Sequence, residues 1–262
     1  MHDDQAITRG PRAYLGFVGI GLVAGLLSGL FGVGGGTVIV PLLVVLLRFD
    51  QRRAAGTSLT AIVPTASVGV ISYALSGSVA WIAALILAAG AVIGAQVGSR
   101  LMPRISQRAL RWGFVAFLVV VLVSLFVVIP SRDAVFELTW LSGIGLVVTG
   151  VLTGVVAGLI GVGGGVIIVP ALMMIFGTSD LVAKGTSLMM MIPTAVSGTI
   201  GNLRHRNVDL VGALVIGFSA CTMTALGTWL ATLMDPVAGN MLFAVFVLAI
   251  AVQMAIKAIR SR

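Results

Sequence analysis

The sequence predicts an all-α polytopic membrane protein of two inverted-topology repeats, each a glycine-broken helical hairpin followed by three transmembrane helices. Three observations carry this prediction. Hydrophobic residues make up 59% of the 262 residues and charged ones 9%, whereas a soluble domain carries roughly 25% charge. The chain is written twice at a constant offset. Its lysines and arginines, finally, are distributed as two oppositely oriented repeats require.

The duplication is direct. Gly32-Val33-Gly34-Gly35-Gly36, with Pro41 downstream, returns as Gly161-Val162-Gly163-Gly164-Gly165 with Pro170, an offset of 129 residues. The same offset carries Gly56-Thr57-Ser58-Leu59 onto Gly185-Thr186-Ser187-Leu188, Pro64 onto Pro193 and Gly98 onto Gly227. In an apolar chain such internal symmetry marks a transporter made of two related halves.

The elements follow in order. Residues 1–12 form a short polar tail, and no removable signal peptide is expected. A first repeat spans 13–130, with apolar segments at 13–47, 54–76, 80–102 and 108–129. A second spans 140–259, with segments at 140–176, 181–202, 210–233 and 237–258. A ~30 Å hydrocarbon core takes about 20 helical residues. The first and fifth segments are too long for one crossing, and each holds the glycine run and a later proline. Interrupted backbone at membrane depth is tolerated only where it is buried or lines a cavity. Residues 13–31 nearly span, while 37–48 is short.

The positive charges choose the topology. If each long segment crosses once, the sixteen lysines and arginines divide eight to eight, which carries no orientation signal. If each is a hairpin returning to its own side, Arg132 and Lys184 face one side and the other fourteen the opposite one. Cytoplasmic loops are enriched in Lys and Arg, so hairpins are expected, with both termini cytoplasmic. A hairpin plus three crossings turns the second repeat upside down, and the loop charges swap accordingly. Residues 48–53 and 100–111 hold three and four arginines, while their counterparts 177–182 and 229–240 hold none. Gly77-Ser78 is neutral where Arg204, His205 and Arg206 stand in the second copy. The net charge of +8 is thus a topology signal, and a nucleic-acid partner is not expected.

An inverted repeat places its site where broken helices of both halves meet near the midplane. The candidates are therefore Gly34, Gly35, Gly36 and Thr37 with Gly163, Gly164, Gly165 and Val166. Helices starting near Thr37 and Val166 offer free N–H groups and about half a positive charge each, which suits an anion. Glycine lets a ligand reach the backbone; the plainer reading is a tight turn and close helix packing. No third glycine at dinucleotide spacing and no βαβ pattern accompany the run. Thr57, Ser58, Thr186 and Ser187 are candidate hydroxyl donors to an oxyanion, or else bond the preceding turn's carbonyls. Pro64 and Pro193 kink their helices. Gln96 and Asn202 read as interhelical hydrogen bonds.

Asp50, Asp180 and Asp209 fall at segment ends, where solvation is expected, and Lys184 is expected to snorkel to the surface, with contact to an anion as the second reading. Arg100 is open to either role. His205 reads as part of a solvated basic loop. Met173, Met174, Met189, Met190 and Met191 read as adaptable packing, not as a thioether metal path. With one cysteine, Cys221, no internal disulfide forms. No cofactor, metal or catalytic pair is expected, and without a Walker motif this chain does not itself use ATP.

The two Gly-Val-Gly-Gly-Gly runs with Pro41 and Pro170, the two Gly-Thr-Ser elements, and Gly201-Asn202 leading to Asn207-Val208-Asp209 resemble the TauE/SafE family of bacterial sulfite and organosulfonate exporters. The resemblance covers nearly the whole chain. It implies a permease of the bacterial plasma membrane for small, sulfur-containing oxyanions such as sulfite, sulfonate or thiosulfate. The expected mechanism is secondary transport by alternating access around a midplane site. A passive anion channel and a non-transporting membrane scaffold are the alternatives. Substrate, direction, coupling ion and oligomeric state, a homodimer included, stay open. The stripe Gly90, Gly94, Gly98 suits packing within or between subunits.

Overall fold

The computed structural model describes residues 11–127 and 139–260. Most of the polar tail (1–10), the end of the fourth apolar segment with Arg132, and Arg262 lie outside the described residues. The described chain is helical throughout, in ten α-helices. The first repeat holds α1 (Pro11–Phe31), α2 (Gly36–Leu46), α3 (Gln51–Leu75), α4 (Trp81–Leu101) and α5 (Gln107–Val127). The second holds α6 (Trp140–Ile160), α7 (Gly165–Met174), α8 (Asp180–Arg204), α9 (Leu210–Leu233) and α10 (Pro236–Arg260). Each helix starts 129 residues after its counterpart, so the motif duplication is a duplication of elements.

Polar residues between the apolar runs act as helix starts. Asp50 accepts the Arg53 N–H at 3.0 Å, Asp209 accepts the Gly212 N–H at 3.1 Å, and Ser179 accepts the Val182 N–H at 3.4 Å. Such caps satisfy amide groups that the first helical turn leaves without partners. Among the described residues, seven helices are long and apolar enough to cross a membrane: α1, α3, α4, α5, α6, α9 and α10. At 11 and 10 residues, α2 and α7 are far shorter than a span. α8 equals α3 in length, at 25 residues, but carries Asp180, Lys184 and Arg204 and falls outside the seven.

Both long segments are hairpins. Gly16 near the start of α1 lies against Leu47 after the end of α2, and the Phe17 and Phe49 rings meet edge to face at 6.2 Å. In the second repeat Gly145 lies against Phe176 in the same way.

The halves interlock by exchanging partners. α1 packs along α9 and α4 along α6, while α3 and α8 cross at the centre and α5 packs on α10. Small residues permit the tightest of these contacts. Gly21, Gly25 and Gly29 of α1 meet the backbone near Ile216, Ala220 and Thr224, and Gly90, Gly94 and Gly98 of α4 meet it near Val147, Val151 and Val155. Both registers ascend together, so these pairs run parallel. The stripe on α4 therefore packs helices within the chain. α3 and α8 run the other way: Gly69 touches Leu188, Gly198 touches Leu59, and the Thr60 and Thr199 hydroxyls lie 3.3 Å apart. The outer faces are apolar, with Leu85, Ile93, Phe218 and Val245 exposed, as a lipid-facing surface requires.

Candidate functional site

Both glycine runs form left-handed turns. Gly32, Gly34 and Gly35 have φ of 69°, 67° and 78°, and Gly161, Gly163 and Gly164 have φ of 82°, 79° and 88°. A residue with a Cβ pays roughly 1–2 kcal/mol for that backbone. Gly35 and Gly164 lead into α2 and α7, and neither helix has a side-chain cap. The two helices thus start at the glycine turns, within a residue of the positions the sequence predicts.

The two turns touch each other. A Cβ on Gly36 would stand 2.5 Å from the Val162 carbonyl oxygen, and one on Gly165 would stand 2.8 Å from that of Gly32. Ile62 of α3 and Met191 of α8, counterparts at the 129 offset, wedge into this junction. The Met191 methyl packs on Gly34 and on Gly163, and Ile62 packs on both as well. Gly34, Gly36, Gly163 and Gly165 are therefore brought to one place, with Thr37 and Val166 fully buried behind them, whereas Gly35 and Gly164 face Ala24 of α1 and Thr153 of α6 in their own hairpins.

In the Gly-Thr-Ser elements the two threonines act alike. The Thr57 hydroxyl oxygen accepts the Asp209 N–H at 3.0 Å, and that of Thr186 accepts the Ala80 N–H at 2.9 Å. Each threonine thus anchors the start of a helix, α9 or α4, in the opposite repeat. Gly56 and Gly185 leave room for the backbone of Asn207 and Ser78 beside them. The serines differ from each other. Ser187 donates to the Gly32 carbonyl at 3.0 Å, while Ser58 and Thr37 are buried hydroxyls with no hydrogen-bond partner among the described residues.

Three expectations for ionisable groups are corrected. Asp180 and Asp209 are not solvated but buried. Lys184 does not snorkel. Its ammonium meets the Asp180 carboxylate at 3.2 Å, with side chains 12% and 2% exposed, since burial in an apolar bundle demands a partner for each charge. Asp209 lies 4.0 Å from Arg53. Gln96 makes the expected interhelical bond, donating to the Ser197 carbonyl at 2.7 Å. Asn202 instead donates to Gly198 of its own helix at 2.9 Å.

A feature missed in the sequence is a narrow cleft, with about 40 Å³ of free space, between α5, α7, α8 and α10; the Asp180–Lys184 pair lines it together with Val33 and Val166 at the turns. The i, i+4 spacing of an acid and a base was its one legible signal. The equivalent place in the first repeat is filled. Thr37, Val40, Gln51 and Ala55 are buried there, and Ala55 packs with Met102 and Leu110. Arg52 fastens this end by donating to the Pro103 and Ile105 carbonyls at 3.2 and 2.6 Å. Thus one end of the bundle is clasped and the other opens toward the turns.

Comparison with known proteins agrees with this architecture. The family model described as sulfite exporter TauE/SafE matches residues 2–125 and 146–262, one block per repeat. The chain belongs to the TauE/SafE family. Among its relatives is a probable membrane transporter protein of Xylella fastidiosa (strain Temecula1), 30% identical over 240 residues that cover 90% of this chain and 92% of the relative. The probable membrane transporter protein YunE of Bacillus subtilis is 27% identical over 221 residues, 75% of this chain and 81% of its own length. No solved structure matches. TauE/SafE membership makes this a multi-pass membrane transporter.

Proposed function

We propose that this TauE/SafE protein is a secondary transporter of small anions, sulfur-containing oxyanions such as sulfite, sulfonate or thiosulfate, working by alternating access. One observation carries the reading: the uncapped starts of α2 and α7, from different repeats, meet at a single junction. Each contributes about half a positive charge and free amide donors, so the junction attracts an anion without a buried arginine. Gly34, Gly36, Thr37, Gly163, Gly165 and Val166 line it, and Ser58 and Ser187 supply hydroxyls. Thr57 and Thr186 hold the frame. In this reading Ile62 and Met191 fill the space until an anion enters, and methionine's flexible chain suits that task.

The antiparallel α3 and α8 support a second repeat that is inverted across the bilayer, and the loop charges support a bacterial plasma-membrane orientation with both termini cytoplasmic. The clasp at Arg52 and the cleft at Lys184 then correspond to closed and open ends of one pathway, and rocking of the halves exchanges them. Proteoliposome uptake of labelled sulfite, thiosulfate, sulfate and taurine tests this. Saturable uptake with counterflow is expected; linear, non-exchanging flux would mean a channel, and no flux of any of the four would refute the substrate class.

A further inference from the structure

The Asp180–Lys184 pair has no counterpart in the other repeat. At the 129 offset Asp180 maps onto Gln51, Lys184 onto Ala55, and the cleft residue Asn240 onto Arg111. The repeat folds without this pair in its first copy, so the pair is not a requirement of the helix that carries it. Its position is specific, because the backbone and Cβ of Lys184 pack against Gly32, at the foot of the first glycine turn. The base of the Lys184 side chain therefore stands at the junction, and its ammonium reaches one turn back along α8 to Asp180 in the cleft. Among the described residues that line the cleft, Lys184 and Asp180 are the charged ones.

We propose that Lys184 is the docking cation for the transported anion at this end, and that Asp180 is a built-in competitor that occupies the ammonium between turnovers. The inference rests on the anion-transporter reading and names the residue that captures the substrate. A lysine ammonium is a compact point charge with three donors, matched to a small oxyanion and less so to a planar carboxylate clamp. In a cleft of low polarity it needs an anionic partner at all times. Asp180 supplies that partner when the cleft is empty and repels a bound anion when it is full. Transport requires binding strong enough for entry and weak enough for release. Asp180 tunes that balance.

The proposal demands opposite effects from the two halves of one ion pair. Purified protein in detergent is titrated with sulfite and with thiosulfate against a chloride control, reading thermal stabilisation. In parallel, flux is measured in proteoliposomes. Lys184→Gln is expected to raise the half-saturating concentration at least tenfold. Asp180→Asn is expected to lower it several-fold while turnover falls. Lys184→Arg, which keeps the charge, is expected to bind within a few-fold of the parent. If the Asn and Gln variants shift affinity in the same direction, the pair is structural only and the proposal fails. It fails too if sulfite and thiosulfate stabilise the parent and Lys184→Gln alike. Lys184-dependent binding without flux would sink the carrier reading alone; flux with unchanged KM in Lys184→Gln would sink the docking role alone. Should Lys184→Gln not fold, Lys184→Arg and Asp180→Asn decide, since weaker anion binding in Asp180→Asn contradicts the competitor role.

Discussion

Gly36 shows how sharply single residues shape this site. It lies at the start of α2, outside the positive-φ positions, so an alanine there suffers no backbone strain. The obstacle is the Val162 carbonyl 2.5 Å from the added Cβ, a backbone atom that cannot swing aside. Gly36→Ala is therefore expected to push the two turns apart and cut uptake at least tenfold with the fold retained. Gly19→Ala, where the Cβ meets nothing within 4 Å, serves as the control and is expected to leave uptake unchanged and stability equal or higher by about 0.5–1 kcal/mol. Thr57 and Thr186 make a different prediction. Each accepts one buried backbone N–H, so Thr→Val at either is expected to cost about 1–3 kcal/mol through an orphaned donor, read as a lower melting temperature with similar KM. The glycines were legible because they recur. The threonines' anchoring role was not, because Asp209 and Ala80 belong to the opposite repeat and nothing local in Gly-Thr-Ser names them.

At the scale of elements, the hairpins were legible from segment length, the glycine break and the charge count together. α8 was legible only as a segment: its acid and base at i, i+4 point inward, and apolar periodicity alone gives no sign of that. Helix partners were not legible at all. A row of glycines says that something comes close, and here α6 comes close to α4 in a parallel register that no short-range rule predicts. The Arg52 clasp on the turn between α4 and α5 gives this scale its prediction. In a Cys221→Ser background, Val169→Cys in the cleft wall is expected to react with a membrane-impermeant thiol reagent. Val40→Cys, its fully buried counterpart in the first repeat, is expected to stay protected. Arg52→Ala removes two side-chain to backbone bonds and is expected to raise labelling of Val40→Cys several-fold from the clasped end. Equal protection with and without Arg52 would mean the clasp is not what holds that end shut.

The whole molecule is a bundle in which neither repeat is complete alone. Each repeat's first helix is covered by the other's fourth, and each glycine turn packs on the other. Such interlocking favours a concerted change in which α3 and α8 carry their turns together. The duplication, the broken segments and the swapped loop charges foretold two halves meeting at their interruptions. The contrast between the filled and the open end was hidden, because it depends on side-chain volumes at paired positions and not on motif identity. The central claim is that one anion is shared by both repeats. Selenite, a heavier relative of sulfite, allows the most direct test: an anomalous-diffraction map of the protein crystallised with it. The account predicts a selenium peak at the junction, contacting residues of both the 32–37 and 161–166 turns. A peak held by one repeat only, or on the lipid-facing surface with the junction empty, would contradict it.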